Sequence, residues 1–219
     1  WIINFFDWPE VKAGEYVLPF KIISEKVKPE RQRRKENGEF VLRKPLPQRW
    51  WQYNDKRPAL YHSIGHGSSF EKHPKRWVDN GKMLHSVLVN SRVTKYFNPM
   101  LCRNDAVFSN KLAVFSTQSF AALAILNSTL IQEWIWKYSG RSGAGLSFSS
   151  TGSYLPLPFP DLYDHDDGEI FSLGKNYHDM RKIIGVESGK GMTDIYNVFH
   201  DASNSDLGIV EFRYLHKQV

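Results

Sequence analysis

STQSFAALAILNSTLIQEWIWKY, residues 116–138, repeats apolar side chains at the spacing of an α-helix. Phe120, Leu123, Ala124, Asn127, Leu130, Ile131 and Trp134 fall on one face of it. Ser116, Thr117 or Ser119 can cap its first turn with a hydroxyl oxygen. Strand-like runs precede it: Met83–Val89, then Ala106–Phe108 and Leu112–Phe115 as a hairpin around Asn110. After it come a Gly/Ser loop, Ser139–Ser153, and a proline-studded extended run, Tyr154–Pro160. An acidic stretch, Asp161–Glu169, leads to three helical stretches: Phe171–Ile184, Met192–His200 and Asp206–Lys217. Toward the N-terminus, Trp1–Phe6 reads as a strand or a buried lead-in, and Pro9–Tyr16 as a helical turn or two. Leu18–Lys28 has helical spacing, and Pro29 suits the first turn of a further helical segment. Glu36–Pro47 is a loop, and WWQYNDKRPALYHSI, Trp50–Ile64, holds a turn at Asn54-Asp55 and a helix from Pro58. The expected fold class is α+β: a mixed α/β domain over residues 1–160, followed by a small helical appendage over 161–219.

At 219 residues, 41% of them hydrophobic and 14% aromatic, the chain can bury a real core. No apolar run is long enough to cross a membrane, and no basic–apolar–small leader opens the sequence. A single cysteine, Cys102, excludes an intrachain disulfide framework and fits a cytoplasmic protein. An opening at Trp1 rather than Met suggests an excised piece of a longer chain. Net charge is +6 but uneven. Residues 1–110 hold 20 Lys and Arg against 11 Asp and Glu, whereas residues 111–219 hold 9 against 12. A basic half joined to a mildly acidic half suggests a polyanion footprint on one part only.

Five segments then occur in a telling order. WIINFFDWPEVKAGEYVLPFKIISEKVKPERQRR (Trp1–Arg34) comes first, then WWQYNDKRPALY (Trp50–Tyr61) and SRVTK (Ser91–Lys95). AILNS (Ala124–Ser128) is followed by a polar loop and LPFP (Leu157–Pro160). GKGMTDIYNVFHD (Gly189–Asp201) and FRYLH (Phe212–His216) close the series. Together they resemble the region after the methyltransferase domain in single-chain type II restriction–modification enzymes of the MmeI type. There the first segment leads out of the methyltransferase domain, and the target-recognition domain and its helical tail follow. The chain departs from that pattern at Asn4, where Asp is expected, and at Ser91, where Pro is usual. It also stops soon after His216, where the family tail runs on, which suggests truncation.

No catalytic, cofactor or metal constellation stands out in the sequence. Asn98-Pro99-Met100 lacks the second proline and the aromatic of an adenine methyltransferase loop. Gly143-Ala144-Gly145 lacks the context of a cofactor loop, and Gly189-Lys190-Gly191 puts Gly where a Walker loop needs Ser or Thr. Pro160-Asp161 has no following (D/E)xK, and Glu10-Val11-Lys12 has no preceding acidic partner, so no nuclease set is present. His62 and His66 have helix-face spacing without a third ligand. Asp164, Asp166, Asp167 and Glu169 favour the start of the next helix rather than forming a calcium loop.

Two sets of residues are the candidate site. Arg31, Arg33, Arg34, Lys35, Lys75, Arg76, Arg92 and Lys95 can contact phosphates, which supply affinity and register. The Lys137–Thr151 loop offers Arg141, Ser142, Ser147, Ser149 and Ser150 for base reading. Arginine can bond both guanine acceptors, and serine can donate or accept. Trp1, Trp50, Trp51, Trp134 and Trp136 read as core, while Trp77 could stack on a sugar or base. The resemblance implies a module that reads double-stranded DNA for an adenine-N6 methyltransferase. On that reading the partner is an N-terminal methyltransferase domain of the parent, and S-adenosylmethionine, with Mg2+ if the parent also cuts, belongs to the parent. The alternative is an architectural subunit of a DNA-modification or phage-defence complex that touches DNA only incidentally.

Overall fold

The computed structural model describes residues 2–72, 83–161 and 167–219. These form an α+β fold divided into two compact units, Trp1–Met83 and Leu84–Val219. The first unit carries α1 (Glu10–Gly14), α2 (Val17–Lys26), α3 (Lys28–Arg31) and α4 (Pro58–Ser63). Proline occupies the first turn of both α3 and α4, where its missing N–H costs no bond. Phe5, Ala13, Ile23 and Trp50 make a small apolar cluster, with Ile3, Trp8, Phe20, Val27 and Trp51 around it. Indole and amide donors fix the linking segments. Trp8 Nε1 donates to Ser69 O at 2.7 Å, while Trp51 Nε1 and Gln52 Nε2 both donate to Trp8 O, at 2.9 and 2.6 Å. Residues 2–6 form no strand, and of them only Phe5 is buried while Ile2 is 58% exposed; Asn4 Oδ1 accepts from Phe6 N at 3.0 Å. Trp1 lies outside the described residues.

The second unit is built on β1 (Ser86–Ser91), β2 (Val93–Thr94), β3 (Met100–Arg103) and β4 (Leu112–Phe115). It continues with α5 (Phe120–Asn127), α6 (Thr129–Tyr138), β5 (Gly140–Ser142), β6 (Gly145–Ser147), α7 (Gly168–Ser188), α8 (Met192–His200) and α9 (Leu207–His216). Two antiparallel sheets result, ordered β3-β1-β4 and β2-β6-β5. Central β1 is apolar on both faces, with Val87, Leu88 and Val89 buried, as a strand covered on two sides must be. The expected hairpin around Asn110 is corrected here. β4 pairs with β1, Val89 opposite Val114, and residues 106–108 join no strand. The missing partner is β3, on the other edge of β1.

The single helix expected over 116–138 is two. Ser128 adopts an extended ψ of 150°, ends α5 and begins α6. Its hydroxyl donates to Ile125 O at 2.8 Å and accepts from Ile131 N at 3.4 Å, so one side chain serves both helix ends. The break resets the phase, and Leu130, expected on the buried face, is 77% exposed while Ile131 and Ile135 are buried. Helix α5 itself is apolar all round and lies in the core, capped by Ser119 at the N–H groups of Ala121 and Ala122. Helix α7 packs on α5 at Gly174, where a Cβ would lie 1.9 Å from Phe120 O. The compact units therefore divide at Met83, whereas the sequence placed a boundary near Pro160: α7 lies against α5 within the second unit. Helices α7, α8 and α9 match the three helical stretches read from the sequence, extended slightly at α7.

Candidate nucleic-acid interface

The Gly/Ser stretch after α6 is a β-hairpin rather than an irregular loop. Gly143 supplies the turn at φ +58°, a conformation that side chains with a Cβ rarely adopt. Val93 pairs with Ser147 and Ser147 with Gly140, while Thr94 pairs with Leu146 and Leu146 with Arg141. Strand alternation puts Leu146 on the inner face, where it is fully buried. Ser147 and Val93 share the other face, and Val93 is 58% exposed there. The sheet thus brings the 92–95 segment beside the hairpin bearing Arg141, Ser142 and Ser147. Phe148 N donates to Arg92 O at 2.7 Å and extends this pairing.

Arg141 is exposed, with its guanidinium carbon 4.5 Å from the ring centroid of Trp136. It flanks a surface hollow of about 490 Å3 lined by Leu130, Glu133, Trp134, Trp136, Lys137 and Tyr138. Ser142 and Ser150 are also exposed. Ser149 is occupied differently: its Oγ accepts from Gly152 N at 3.0 Å and holds the wide turn Ser150–Tyr154. That turn is anchored below by Trp134 Nε1, which donates to Ser153 O at 2.8 Å.

The basic residues separate by what they already hold. Arg31 is half-buried and donates through Nη1 to Gln52 O, so one edge of its fork faces the protein. Arg34 covers the Phe40 ring at 4.2 Å and donates to Gly38 O at 2.7 Å, and Lys35 pairs with Glu39 at 3.5 Å. Arg33 is exposed beside them. In the second unit Arg92 is half-buried, and Lys95 Nζ donates to Asn197 Oδ1 at 2.6 Å. Lys75, Arg76 and Trp77 lie outside the described residues.

Several motif residues meet inside the second unit instead of at its surface. Arg181, 2% exposed, donates to Asn127 Oδ1 at 3.1 Å, Pro99 O at 2.8 Å and Tyr196 Oη at 3.3 Å. Asn127 Nδ2 donates to the same Pro99 carbonyl at 3.0 Å. The Tyr177 hydroxyl joins Tyr196 Oη at 2.8 Å and His216 Nδ1 at 3.1 Å. Burial pushes the Tyr177 phenol well above its ordinary pKa. Burial, then the nearby His200 and Arg181, hold His216 below the usual histidine value. Arg213 donates to the carbonyls of Phe199, Val198, Asp201 and Asn204 at 2.6–3.0 Å, closing the C-terminus of α8. Asn127, Tyr196, Arg213 and His216 are thus structural ties. Sequence reasoning missed the pairing of Trp136 with Arg141. The signal available was a tryptophan at a helix end, followed at once by Ser-Gly-Arg.

No cluster of three or more His, Cys, Asp or Glu residues is gathered to hold a metal among the described residues. Among them, no helix is long and apolar enough to cross a membrane. The Gly143-Ala144-Gly145 run sits in a strand–strand turn, not between a strand and a helix, so it does not fit a nucleotide-cofactor cradle. No curated protein and no solved structure matches the chain. One family model does match, that described as MmeI, target recognition domain, over residues 62–161. The matched span holds β1–β6 with α5 and α6, so it contains the whole β5–β6 hairpin and both sheets. Over residues 62–161, somewhat under half of its length, this chain is similar to the MmeI target recognition domain.

Proposed function

We propose that this chain reads a double-stranded DNA sequence for a restriction–modification adenine-N6 methyltransferase of the cytoplasm. The observation that carries the reading is the family match over the segment whose hairpin presents Arg141. Arg141 contacts base edges from the face of the hairpin it shares with Leu146, and Ser142 and Ser147 do so from the other face, with Ser150 at the hairpin base and Ser149 holding the turn beneath. Arg33, Arg34, Lys35, Arg92 and Lys95, with Arg31, Lys75 and Arg76, meet phosphates and set register. The chemistry belongs to a methyltransferase domain that acts on an adenine taken out of the stack. S-adenosylmethionine, and Mg2+ if the parent also cleaves, is bound there. This chain's role is to hold the site still while that domain works.

Selection of duplexes from a randomised pool by the full-length protein tests this. One short preferred word is expected. Arg141→Ala should lose preference at one position of that word by about tenfold or more, since a bidentate arginine–guanine pair discriminates by about 1–3 kcal/mol. Recovery of no preferred word would overturn the reading.

A further inference from the structure

Arg141 differs from the other candidate arginines in which surfaces of its guanidinium are engaged. Arg31 and Arg34 spend N–H donors on main-chain carbonyls, and Arg181 spends three bonds inside the core. Among the described residues, no acceptor takes a hydrogen bond from the Arg141 guanidinium and no carboxylate pairs with it. Glu133 lines the same hollow without forming an ion pair to it. What Arg141 does have is the Trp136 ring, 4.5 Å away. An aromatic ring engages the face of a guanidinium and leaves the in-plane N–H fork open. That fork is the part that bonds the N7 and O6 atoms of guanine.

The backbone supports the same arrangement. Trp136 lies near the end of α6, and Ser139 Oγ donates to Ser153 Oγ at 2.7 Å, tying the helix end to the turn beyond the hairpin. The register Arg141 opposite Leu146 then fixes where the arginine leaves the sheet, because Leu146 is buried in the core. The ring and the strand carrying the arginine are therefore both anchored.

We infer that Trp136 is a positioning residue for base reading: its ring holds Arg141 in a reading pose before DNA arrives. This rests on the proposal that Arg141 reads a base. Pre-orienting a long side chain lowers the entropy lost on binding, so the contribution appears as selectivity rather than as fold stability. An exposed cation–π contact is worth about 0.5–1 kcal/mol, which converts to roughly two- to fivefold.

The test is the same randomised duplex selection by the full-length protein, comparing Arg141→Ala, Trp136→Phe and Trp136→Leu, each with its thermal melt. Trp136→Phe keeps a ring face and should keep the preferred word. Trp136→Leu keeps apolar bulk without a ring face. It should weaken preference by about threefold at the position lost in Arg141→Ala, and nowhere else. If Arg141→Ala leaves the word unchanged, the base-reading proposal fails and this inference with it. If Arg141→Ala relaxes one position and Trp136→Leu does not, only this inference fails. Loss of folding in both Trp136 variants would also overturn it, because the ring would then serve the core.

Discussion

Two arginines of the second unit put the same side chain to opposite uses. Arg181 is sealed in the core, and its donors go to neutral oxygens of Asn127, Pro99 and Tyr196. Removing it relieves a buried charge but takes the donor from Asn127 Oδ1, while Pro99 O keeps Asn127 Nδ2 and Tyr196 Oη keeps Tyr177 Oη. A buried acceptor left unsatisfied costs about 1–3 kcal/mol, so Arg181→Met should lower stability by about that much in urea unfolding. Arg141, at the surface, should be tolerated as alanine, with unfolding changed by less than about 0.5 kcal/mol. Histidines of the tail add a pH dependence. Burial holds His216, His200 and His178 below the usual value in the folded state. The unfolded chain therefore takes up protons first as pH falls, near about 6.5. Their stabilising effect is present above that value and is lost as pH drops through the folded values. Melting between pH 7.5 and 5.5 should show a falling midpoint, and His216→Asn should flatten it. A wild-type midpoint that rises on acidification would contradict the assignment. None of this was legible at the residue scale: Arg31 reads as a free cation until Gln52, 21 positions away, is seen to take one of its donors.

At the scale of elements, local signals were read well and non-local ones poorly. Helices α8 and α9 stood out from their apolar periodicity, and α3 and α4 from proline at the first turn. The break at Ser128 was hidden because apolar spacing runs on through it, even though serine is a good capping residue. Strands β5 and β6 were invisible for another reason. Gly-Arg-Ser and Gly-Leu-Ser have little strand propensity; β6 is held by pairing to β2, some 50 residues earlier in the chain, and β5 by pairing to β6. Close packing of α5 on α7 gives a sharp test. In Gly174→Ala the new methyl would meet the Phe120 carbonyl, and the helices must separate, so a loss of about 3 kcal/mol or more is expected. Gly185→Ala is the control on the same helix. Its Cβ meets only Ile195 Cδ1 at 3.7 Å, so the better helix propensity should leave stability unchanged or raise it by up to about 1 kcal/mol. Equal effects at the two positions would show that the α5–α7 contact is looser than described.

Across the whole chain, on the proposed reading, most of the phosphate-contacting residues belong to the first unit, while Arg92 and Lys95 belong to the second with Arg141. Residues 1–83 carry 17 Lys and Arg against 10 Asp and Glu, and residues 84–219 carry 12 against 13. The first unit is thus the basic one, while the hairpin with Arg141 lies in the second. Binding should accordingly fall steeply with salt. Arg33→Ala should reduce the log–log salt slope by about one and weaken all sequences alike, in contrast to Arg141→Ala. The α+β class and the resemblance to a target-recognition region were legible in the sequence, because they rest on ordered segments rather than on contacts. The most direct test of the central claim is methylated-base sequencing of DNA from cells expressing the full-length protein. Wild type would be compared with a variant carrying a replaced Lys137–Thr151 segment. Modified adenine in one short word for the wild type, changed or relaxed in the variant, is the predicted result. Methylation of the same word by both proteins would contradict the assignment of the hairpin as the reader.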